Sequence, residues 1–190
     1  EMLRSLVGSE MCIRDRFPID RGTTSALLGF SGPLANALDS VASRDFALEL
    51  SATLSIMMIT CSRMVQDFYI WSTPEFGYLT FPDSIASTSS IMPQKKNPAV
   101  LEYLRGKTGH LIGLTSAALS TVKSTHFTHS GDSSRESTRT CWESCEEALK
   151  ALELMQLLVE QVAPNRDRMA ARAADDFSTV TDLALSLIHI

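Results

Sequence analysis

Glycine and proline are scarce in this chain of 190 residues, which contains nine and seven of them. Long apolar runs are also absent, since nothing approaches the roughly 18 uninterrupted apolar residues typical of a membrane helix. There is no basic run, and the formal net charge of −5 argues against nucleic acid as the main partner. The cysteines lack disulfide-like spacing, which is typical of a reducing compartment. We therefore expect a cytoplasmic protein without membrane or nucleic-acid partners.

Both ends of the chain are expected to be foreign to the protein. The segment Met11–Asp15 can be encoded by DNA whose reverse complement, in another frame, encodes Ser186–His189. The sequences SLVGSEMCIRDR and LSLIHI also resemble translations of a sequencing adapter. We therefore expect residues 1–16 and 185–190 to be adapter translation and the rest to be a piece of a longer protein. A short amphipathic terminal segment is the alternative.

Apolar residues recur at helical spacing over most of the chain, which predicts an all-α protein. Three long antiparallel helices of a bundle are expected at 36–71, 98–122 and 136–162. We assign residues 17–163 to a partial central helical-bundle domain. A small C-terminal helical domain is expected to begin over 164–184.

Smaller features of these segments carry further expectations. Asp176 or Ser178 is expected to cap the last helix. The glycines of the second long helix are expected to permit close helix approach; they are Gly106, Gly109 and Gly113. Cys141 and Cys145, one helical turn apart, are expected to be buried small apolar residues.

The only long irregular region is 72–97, which we interpret as a lid with an aromatic anchor because its aromatic content argues against disorder. It ends in the hydroxyl-rich sequence STSSIMPQKKNP. Asn97 is predicted to cap the following helix, and Pro98 fits its first position. Hydroxyls and lysines at the N-terminus of a helix predict an anion site.

The sequence SSIMPQKKNP closely resembles the signature loop of the fumarase/aspartase superfamily, most closely its argininosuccinate lyase branch. PIDRGTTSALLGF, NALDSVASRDFALE and DFSTVTDLA are similar to further segments of that branch. The resemblance implies a carbon–nitrogen lyase that releases fumarate and an amine from a succinyl adduct by β-elimination, without a cofactor. It also implies a homotetramer whose active sites are shared between subunits.

The resemblance assigns roles to individual residues. Ser89 corresponds to the catalytic base, while Lys95 and Asn97, together with Ser90, correspond to substrate-binding residues. Glu102 corresponds to the glutamate that supports the catalytic histidine of another subunit. That histidine belongs to a region outside this piece, and so the piece alone is expected to be inactive.

The chain departs from the family pattern at one position and in one segment. Thr88 replaces the usual glycine, which restricts the backbone of the loop. The family segment YNRDLQEDKE contacts the arginine half of the substrate. Aligned without gaps, its Tyr, Gln and Lys fall on His129, Ser134 and Ser137, while Asp132 is retained. We therefore favour a different N-succinyl amine, with argininosuccinate close behind, because unpaired polar groups discriminate strongly between substrates.

Other interpretations remain open for some residues. His126, His129 and Asp132 could ligate a metal in a helical bundle, although solvated or capping side chains are the more common outcome and no metal is expected. Arg44 and Asp45 either form a charged helix face or lie near a shared site. A structural protein of the same fold is a third reading of the whole chain.

Overall fold

The structure is a computed structural model that describes residues 20–88, 91–92, 96–175 and 179–188. It confirms the predicted all-α class. The α-helices of this described part are α1 Arg21–Leu27, α2 Ala37–Ala42, α3 Asp45–Trp71, α4 Ala99–Val122, α5 Gly131–Gln161, α6 Arg166–Asp175 and α7 Val180–Ile188. Short strands are β1 Leu79–Thr80, β2 Ser87–Thr88, β3 Lys96–Asn97 and β4 Ala163–Pro164, and a 3₁₀ helix spans Asp83–Ile85.

The chain divides into two compact units. The first is formed within Glu1–Ile59 and Lys107–Lys150, and the second within Thr60–Gly106 and Ala151–Ile190. Each contains segments of α3, α4 and α5. A separate C-terminal domain beginning at residue 164 stays a prediction.

Small polar side chains connect α3 and α4 inside the first unit. The Ser55 hydroxyl lies 2.8 Å from the Thr115 hydroxyl and donates to the Leu111 carbonyl at 3.1 Å. Thr115 in turn donates to the Ser51 carbonyl at 3.0 Å. Buried hydroxyls are tolerated where they have partners, and their small size allows close packing of the two helices.

A largely buried ion pair connects α4 and α5 in the first unit. The ammonium of Lys107 donates to the carboxylate of Glu147, and both side chains are about four-fifths buried. Lys150 and His110 lie 3.8 and 3.9 Å from the same carboxylate. The hydrogen bond from Lys107 lowers the pKa of Glu147, and the surrounding positive charges add to this effect.

The predicted helix over 36–71 is interrupted, and the single-helix prediction is wrong at this point. Ser43 adopts an extended conformation, with ψ of 137°, between α2 and α3. Its hydroxyl accepts a hydrogen bond from the Asp45 N–H at 3.3 Å. Arg44 donates to the Val41 and Ser43 carbonyls at 3.0 and 2.7 Å. Local capping therefore ends one helix and starts the next without proline or glycine.

Helix α5 begins five residues earlier than the predicted start at Glu136. Its buried face there consists of Ser133, Ser137, Thr140 and Ser144. Hydroxyls on this face donate to carbonyls one turn earlier, as Ser144 does to Thr140 at 2.8 Å. A buried stripe of serine and threonine does not register as apolar periodicity, which explains the error. On the same helix, Cys141 and Cys145 are free and half-buried, which corrects the expectation that they are buried.

One further expectation needs correction. An added Cβ at Gly106, Gly109 or Gly113 would meet nothing within 4 Å, and so close helix approach at these glycines is wrong within the described chain. Helix α3 is long and apolar enough to span a membrane by length and composition, since an 18-residue window within it has a mean hydropathy of 1.3. The core helix of a bundle passes the same test, which makes this weak evidence.

Candidate active site

The connection from α3 to α4 lies in the second unit and is more regular than the predicted lid. Strand β1 pairs antiparallel with β4, with Leu79 opposite Pro164. The Tyr78 N–H donates to the Trp71 carbonyl, and the Asn165 N–H donates to the Tyr78 carbonyl, both at 2.8 Å. The prediction of a region without regular structure is therefore wrong for this part.

An aromatic contact lies within this connection, while the lid and its aromatic anchor stay a prediction. The rings of Phe76 and Tyr78 meet edge to face with centroids 5.7 Å apart, which is a favourable geometry for aromatic pairs. The contact lies beside β1, before the chain enters the signature loop.

A short antiparallel ladder joins the two arms of the signature loop. Ser87 pairs with Asn97, and Thr88 pairs with Lys96. The exposed Lys96 also forms an ion pair with Asp83 of the 3₁₀ helix. Nearby, the Ser84 hydroxyl donates to the Gln161 side chain at 2.9 Å. These contacts hold the strand that enters the loop beside the strand that leaves it.

Three of the predicted site residues, Ser89, Ser90 and Lys95, lie outside the described residues. The capping residues Asp176 and Ser178 lie outside them as well. Asn97 and Glu102 are described, and their surroundings define the candidate site.

Asn97 is a strand residue and does not cap α4, so the cap prediction is wrong by one position. The Pro98 carbonyl accepts the N–H groups of Leu101 and Glu102 at 3.0 and 3.3 Å. The first intrahelical bond is made by the residue at the cap position, which is therefore Pro98. Backbone pairing with Ser87 draws Asn97 into β3 instead.

The half-buried Asn97 lines a cavity of about 220 Å³ at the base of the loop. The cavity is bounded by the following residues: Ser72, Leu79, Thr80, Phe81, Ala86, Lys96 and Pro98. The N-terminus of α4, a helix of 24 residues, begins directly after Pro98. Its unpaired amides and dipole favour a negative charge nearby. A carboxylate ligand suits this combination of an amide side chain and a helix N-terminus, whereas the Lys96 ammonium already pairs with Asp83.

Glu102 lies in the first turn of α4 but opens onto a different concavity, of about 510 Å³. Ser62, Tyr69, Arg105 and Gly106 complete its lining. The Arg105 guanidinium stacks 5.2 Å from the Tyr69 ring centroid, a typical cation–π distance. Asn97 and Glu102 are therefore not brought to one cavity within the described chain.

The predicted amine-contact residues belong to the first unit. His129 is exposed in the connection between α4 and α5. Ser134 lies in the first turn of α5, where its hydroxyl donates to the Gly131 carbonyl at 3.4 Å. Asp132, the retained family residue, accepts hydrogen bonds from the Ser130 hydroxyl and the Ser133 N–H. The Ser130 hydroxyl, followed by the Ser133 amide, lowers the pKa of Asp132.

The alternative metal reading receives no support from this geometry. Within the described part of the chain, no three or more His, Cys, Asp or Glu side chains gather to hold an ion. His126 and His129 therefore do not form a metal cluster with Asp132.

Asp83 and Gln161 contact residues of the site, although the sequence did not indicate either of them. Asp83 follows Pro82, a turn signal, but nothing in the sequence linked it to Lys96. Gln161, at the end of α5, has no signal at all, because its contact with Ser84 depends on tertiary packing.

Comparisons with known proteins identify the relatives of the chain. A family model described as "Lyase" matches residues 8–113. Argininosuccinate lyase 1 of Shouchella clausii is 44% identical over 98% of this chain and 37% of its own length. Argininosuccinate lyase of Methanoculleus marisnigri is 40% identical over 97% of this chain and 37% of its own length. The chain thus spans a little over a third of these curated relatives.

Solved structures agree with this relationship. A variant of EDDS lyase with bound fumarate has a TM-score of 0.71 and 31% identity, covering 92% of this chain and 34% of that protein. The fumarate lyase:delta crystallin of Brucella melitensis bound to cobalt has a TM-score of 0.68 at 21% identity, covering 84% and 35%. The latter likeness concerns the fold alone. Together with the family model, these matches establish that the chain belongs to the Lyase family.

Proposed function

We propose that the chain is part of a carbon–nitrogen lyase that cleaves argininosuccinate by β-elimination and releases fumarate. The observation that carries the proposal is the match to argininosuccinate lyases at 37–44% identity over most of the chain. The signature loop and the N-terminus of α4 lie within that match. The work of the whole enzyme would then belong to arginine biosynthesis in the cytoplasm.

In this proposal Ser89 removes the proton from the carbon next to a carboxylate of the succinyl group. The resulting aci-carboxylate concentrates negative charge, which needs donors already in place where the charge develops. Lys95, Asn97 and the first amides of α4 supply these donors. Ser90 binds the same dicarboxylate. Closure of the loop excludes water from the site. The positive charge beside Ser89 then stabilises its alkoxide form, which can act as a base.

The position of Asn97 supports this scheme. The β2–β3 ladder holds the residue at the edge of the 220 Å³ cavity, directly before the helix N-terminus. A side-chain amide in that place can donate to a carboxylate oxygen, and the ladder reduces the backbone entropy that is lost on binding.

Glu102 is proposed to act in a different active site from the Asn97 of its own subunit. Its opening onto a separate concavity supports a role across a subunit interface, where it would orient the general-acid histidine of a neighbour. The homotetramer with shared sites is part of the same proposal. The exposed apolar side chains of the long helices, such as Ile56, Ile112 and Trp142, are consistent with burial in an assembly.

For the amine half of the substrate, we propose arginine and not the different amine that the sequence led us to expect. The altered residues at His129, Ser134 and Ser137 favoured a different N-succinyl amine. The curated relatives, however, are argininosuccinate lyases, and this favours argininosuccinate. His129 and Ser134 then remain candidate contacts for the arginine half.

The test uses a full-length protein that contains this chain. Fumarate release is followed by ultraviolet absorbance with argininosuccinate and, separately, with other N-succinyl amines. Equal amounts of fumarate and arginine from argininosuccinate are expected. Fumarate from another amine alone would refute the argininosuccinate assignment but keep the reaction class. No fumarate from any of them would refute the enzyme and favour a structural protein of this fold.

A further inference from the structure

Glu102 and Arg105 are neighbours on α4 that do not pair with each other. They lie three residues apart, a spacing that places two side chains side by side on one helix face and favours an ion pair between opposite charges. Both also line the same concavity. However, the Glu102 carboxylate makes no ion pair with any described residue. An ion pair that the spacing favours is therefore not formed.

The ring of Tyr69, on α3, explains why this pair is absent. The guanidinium carbon of Arg105 lies 5.2 Å from the centroid of the ring, within the range of a cation–π contact. Arg105 is exposed, whereas Tyr69 is half-buried, and so the ring is the more constrained member of the stack. At exposed sites a cation–π contact contributes somewhat more than an ion pair at this helical spacing. Stacking on Tyr69 is therefore the preferred contact of Arg105.

The remaining lining of the concavity does not compensate the charge of Glu102. Besides Glu102 and Arg105, the residues that line it are Ser62, Tyr69 and Gly106. Of these three, only Tyr69 is titratable. Within the described part of the chain, Arg105 is thus the only cation that lines the concavity. The position of its guanidinium decides how strongly Glu102 can attract a positive group that enters from outside.

We propose that Tyr69 is a positioning residue of the shared active site. Its ring holds Arg105 away from Glu102 and so keeps that carboxylate unpaired for the general-acid histidine of a neighbouring subunit. This role of Tyr69 rests on the proposed function, in which Glu102 orients that histidine. A histidine beside an unpaired carboxylate has a raised pKa and stays protonated to higher pH. A guanidinium bound to the same carboxylate would cancel part of this effect.

The first experiment removes the ring face in the full-length protein that contains this chain. Tyr69→Leu keeps an apolar side chain, and Arg105 should then move to Glu102. Because the guanidinium lowers the pKa of the histidine, the alkaline limb of the kcat/KM pH profile should move to lower pH by roughly half a unit. Above that limb kcat/KM should fall about threefold, which is the same shift expressed as a ratio. A wild-type profile in Tyr69→Leu would overturn the role of Tyr69.

Two further variants separate positioning from folding. Tyr69→Phe is the conservative variant and should keep the wild-type profile, because phenylalanine presents the same ring face. Tyr69→Leu combined with Arg105→Gln should recover the profile, because no guanidinium is left to pair with Glu102. A merely destabilised Tyr69→Leu protein would not be restored by losing Arg105 as well. A shift that persists in the double variant would therefore contradict the positioning role.

Glu102→Gln distinguishes the two levels of the proposal. If its profile is shifted while that of Tyr69→Leu is not, the role of Tyr69 is wrong and the proposed function stands. If Glu102→Gln itself keeps the wild-type profile, the role of Glu102 fails and that of Tyr69 fails with it.

A crystal structure of full-length Tyr69→Leu gives a readout that is independent of activity. Crystals are grown above the alkaline limb, where the histidine is neutral and does not compete for Glu102. The Arg105 guanidinium should lie within about 4 Å of the Glu102 carboxylate, the range of an ion pair. In Tyr69→Phe it should remain over the ring. A guanidinium that stays away from Glu102 in Tyr69→Leu would show that Tyr69 does not control its position.

Discussion

Ser87 pairs with Asn97 across the β2–β3 ladder, directly beside the arms of the signature loop. The pairing fixes the proposed substrate-binding residue by its backbone, independently of the loop between the strands. Asn97 is thereby held at the edge of its cavity, directly in front of α4. A donor that is already in place where charge develops is what the proposed β-elimination requires.

Replacement of the proposed base gives the sharpest check on the reaction. Ser89→Ala in the full-length protein should lower kcat by about 10²- to 10⁴-fold, the usual contribution of a general base. KM should change little, because binding of the dicarboxylate depends on other residues. Steady-state fumarate release measures both. Ser90→Ala is the matched control and should act mainly on KM. Wild-type kcat in Ser89→Ala would refute the base assignment.

Glu102 offers a check on the shared-site proposal. Glu102→Gln keeps the size of the side chain but removes the charge that would stabilise a protonated histidine. The loss of that charge lowers the pKa of the general-acid histidine, and so the alkaline limb of the kcat/KM pH profile should move to lower pH, with kcat reduced roughly tenfold or more. Arg105→Gln, in the same concavity, is the matched control and should leave the shape of the profile unchanged. An unaltered profile in Glu102→Gln would contradict the role.

The sequence was sufficient to predict the long helices but not their ends. The apolar spacing in α3 and α4 has helical period over many turns, and buried residues such as Val65, Leu104 and Leu111 confirm it. The break at Ser43 was missed because it depends on capping hydrogen bonds. The start of α5 was missed because its buried face consists of hydroxyl residues.

The residues of the site suggest a chemistry, which stays a prediction, but they do not indicate the geometry of the site. A loop rich in hydroxyls and lysines before a helix indicated an anion site from residues alone. Asn97 was placed at the cap because it is a good capping residue, whereas tertiary pairing with Ser87 overrides this preference. The separation of Glu102 from Asn97 depends on how α3 packs against the first turns of α4. No periodicity carries that information.

The Glu147 cluster predicts a pH-dependent contribution to stability. Because the hydrogen bond from Lys107 holds the folded-state pKa of Glu147 below its ordinary value of 4.5, its ion pair stabilises the fold above that value. The contribution is lost as pH falls through the lowered pKa. Glu147→Gln should therefore cost about 1–3 kcal/mol at neutral pH, and the difference from the wild type should shrink on acidification below about pH 4.5. Urea unfolding at several pH values measures it.

A matched control for this prediction exists on the same helix. Glu143 pairs with Arg139 at 3.1 Å, and both side chains are largely exposed. Exposed pairs of this kind contribute about 0.3–0.5 kcal/mol, and so Glu143→Gln should have little effect. A loss equal to that of Glu147→Gln would show that burial of the Lys107 pair adds nothing.

Replacement of Gly77 tests whether Arg168, near the start of α6, supports the connection that leads to the signature loop. Its φ of 59° favours glycine, and an added Cβ would lie 3.1 Å from the Arg168 guanidinium carbon. Arg168 donates to the Pro74 and Glu75 carbonyls at 3.0 and 2.9 Å. Gly77→Ala should thus carry both a conformational cost of about 1–2 kcal/mol and the loss of these hydrogen bonds.

Gly29→Ala separates the two costs of that substitution. Gly29 has a similar φ of 73°, but an added Cβ there would meet nothing within 4 Å. Its replacement should show the conformational cost alone. Gly77→Ala is therefore expected to lower Tm more than Gly29→Ala and to speed hydrogen exchange at Tyr78 and Asn165, whose backbones are joined at 2.8 Å. Arg168→Ala should remove most of the difference between the two glycine variants, because no guanidinium is left to displace. Equal Tm losses for both glycine variants in the wild-type background would show that Arg168 yields without cost and does not support this connection.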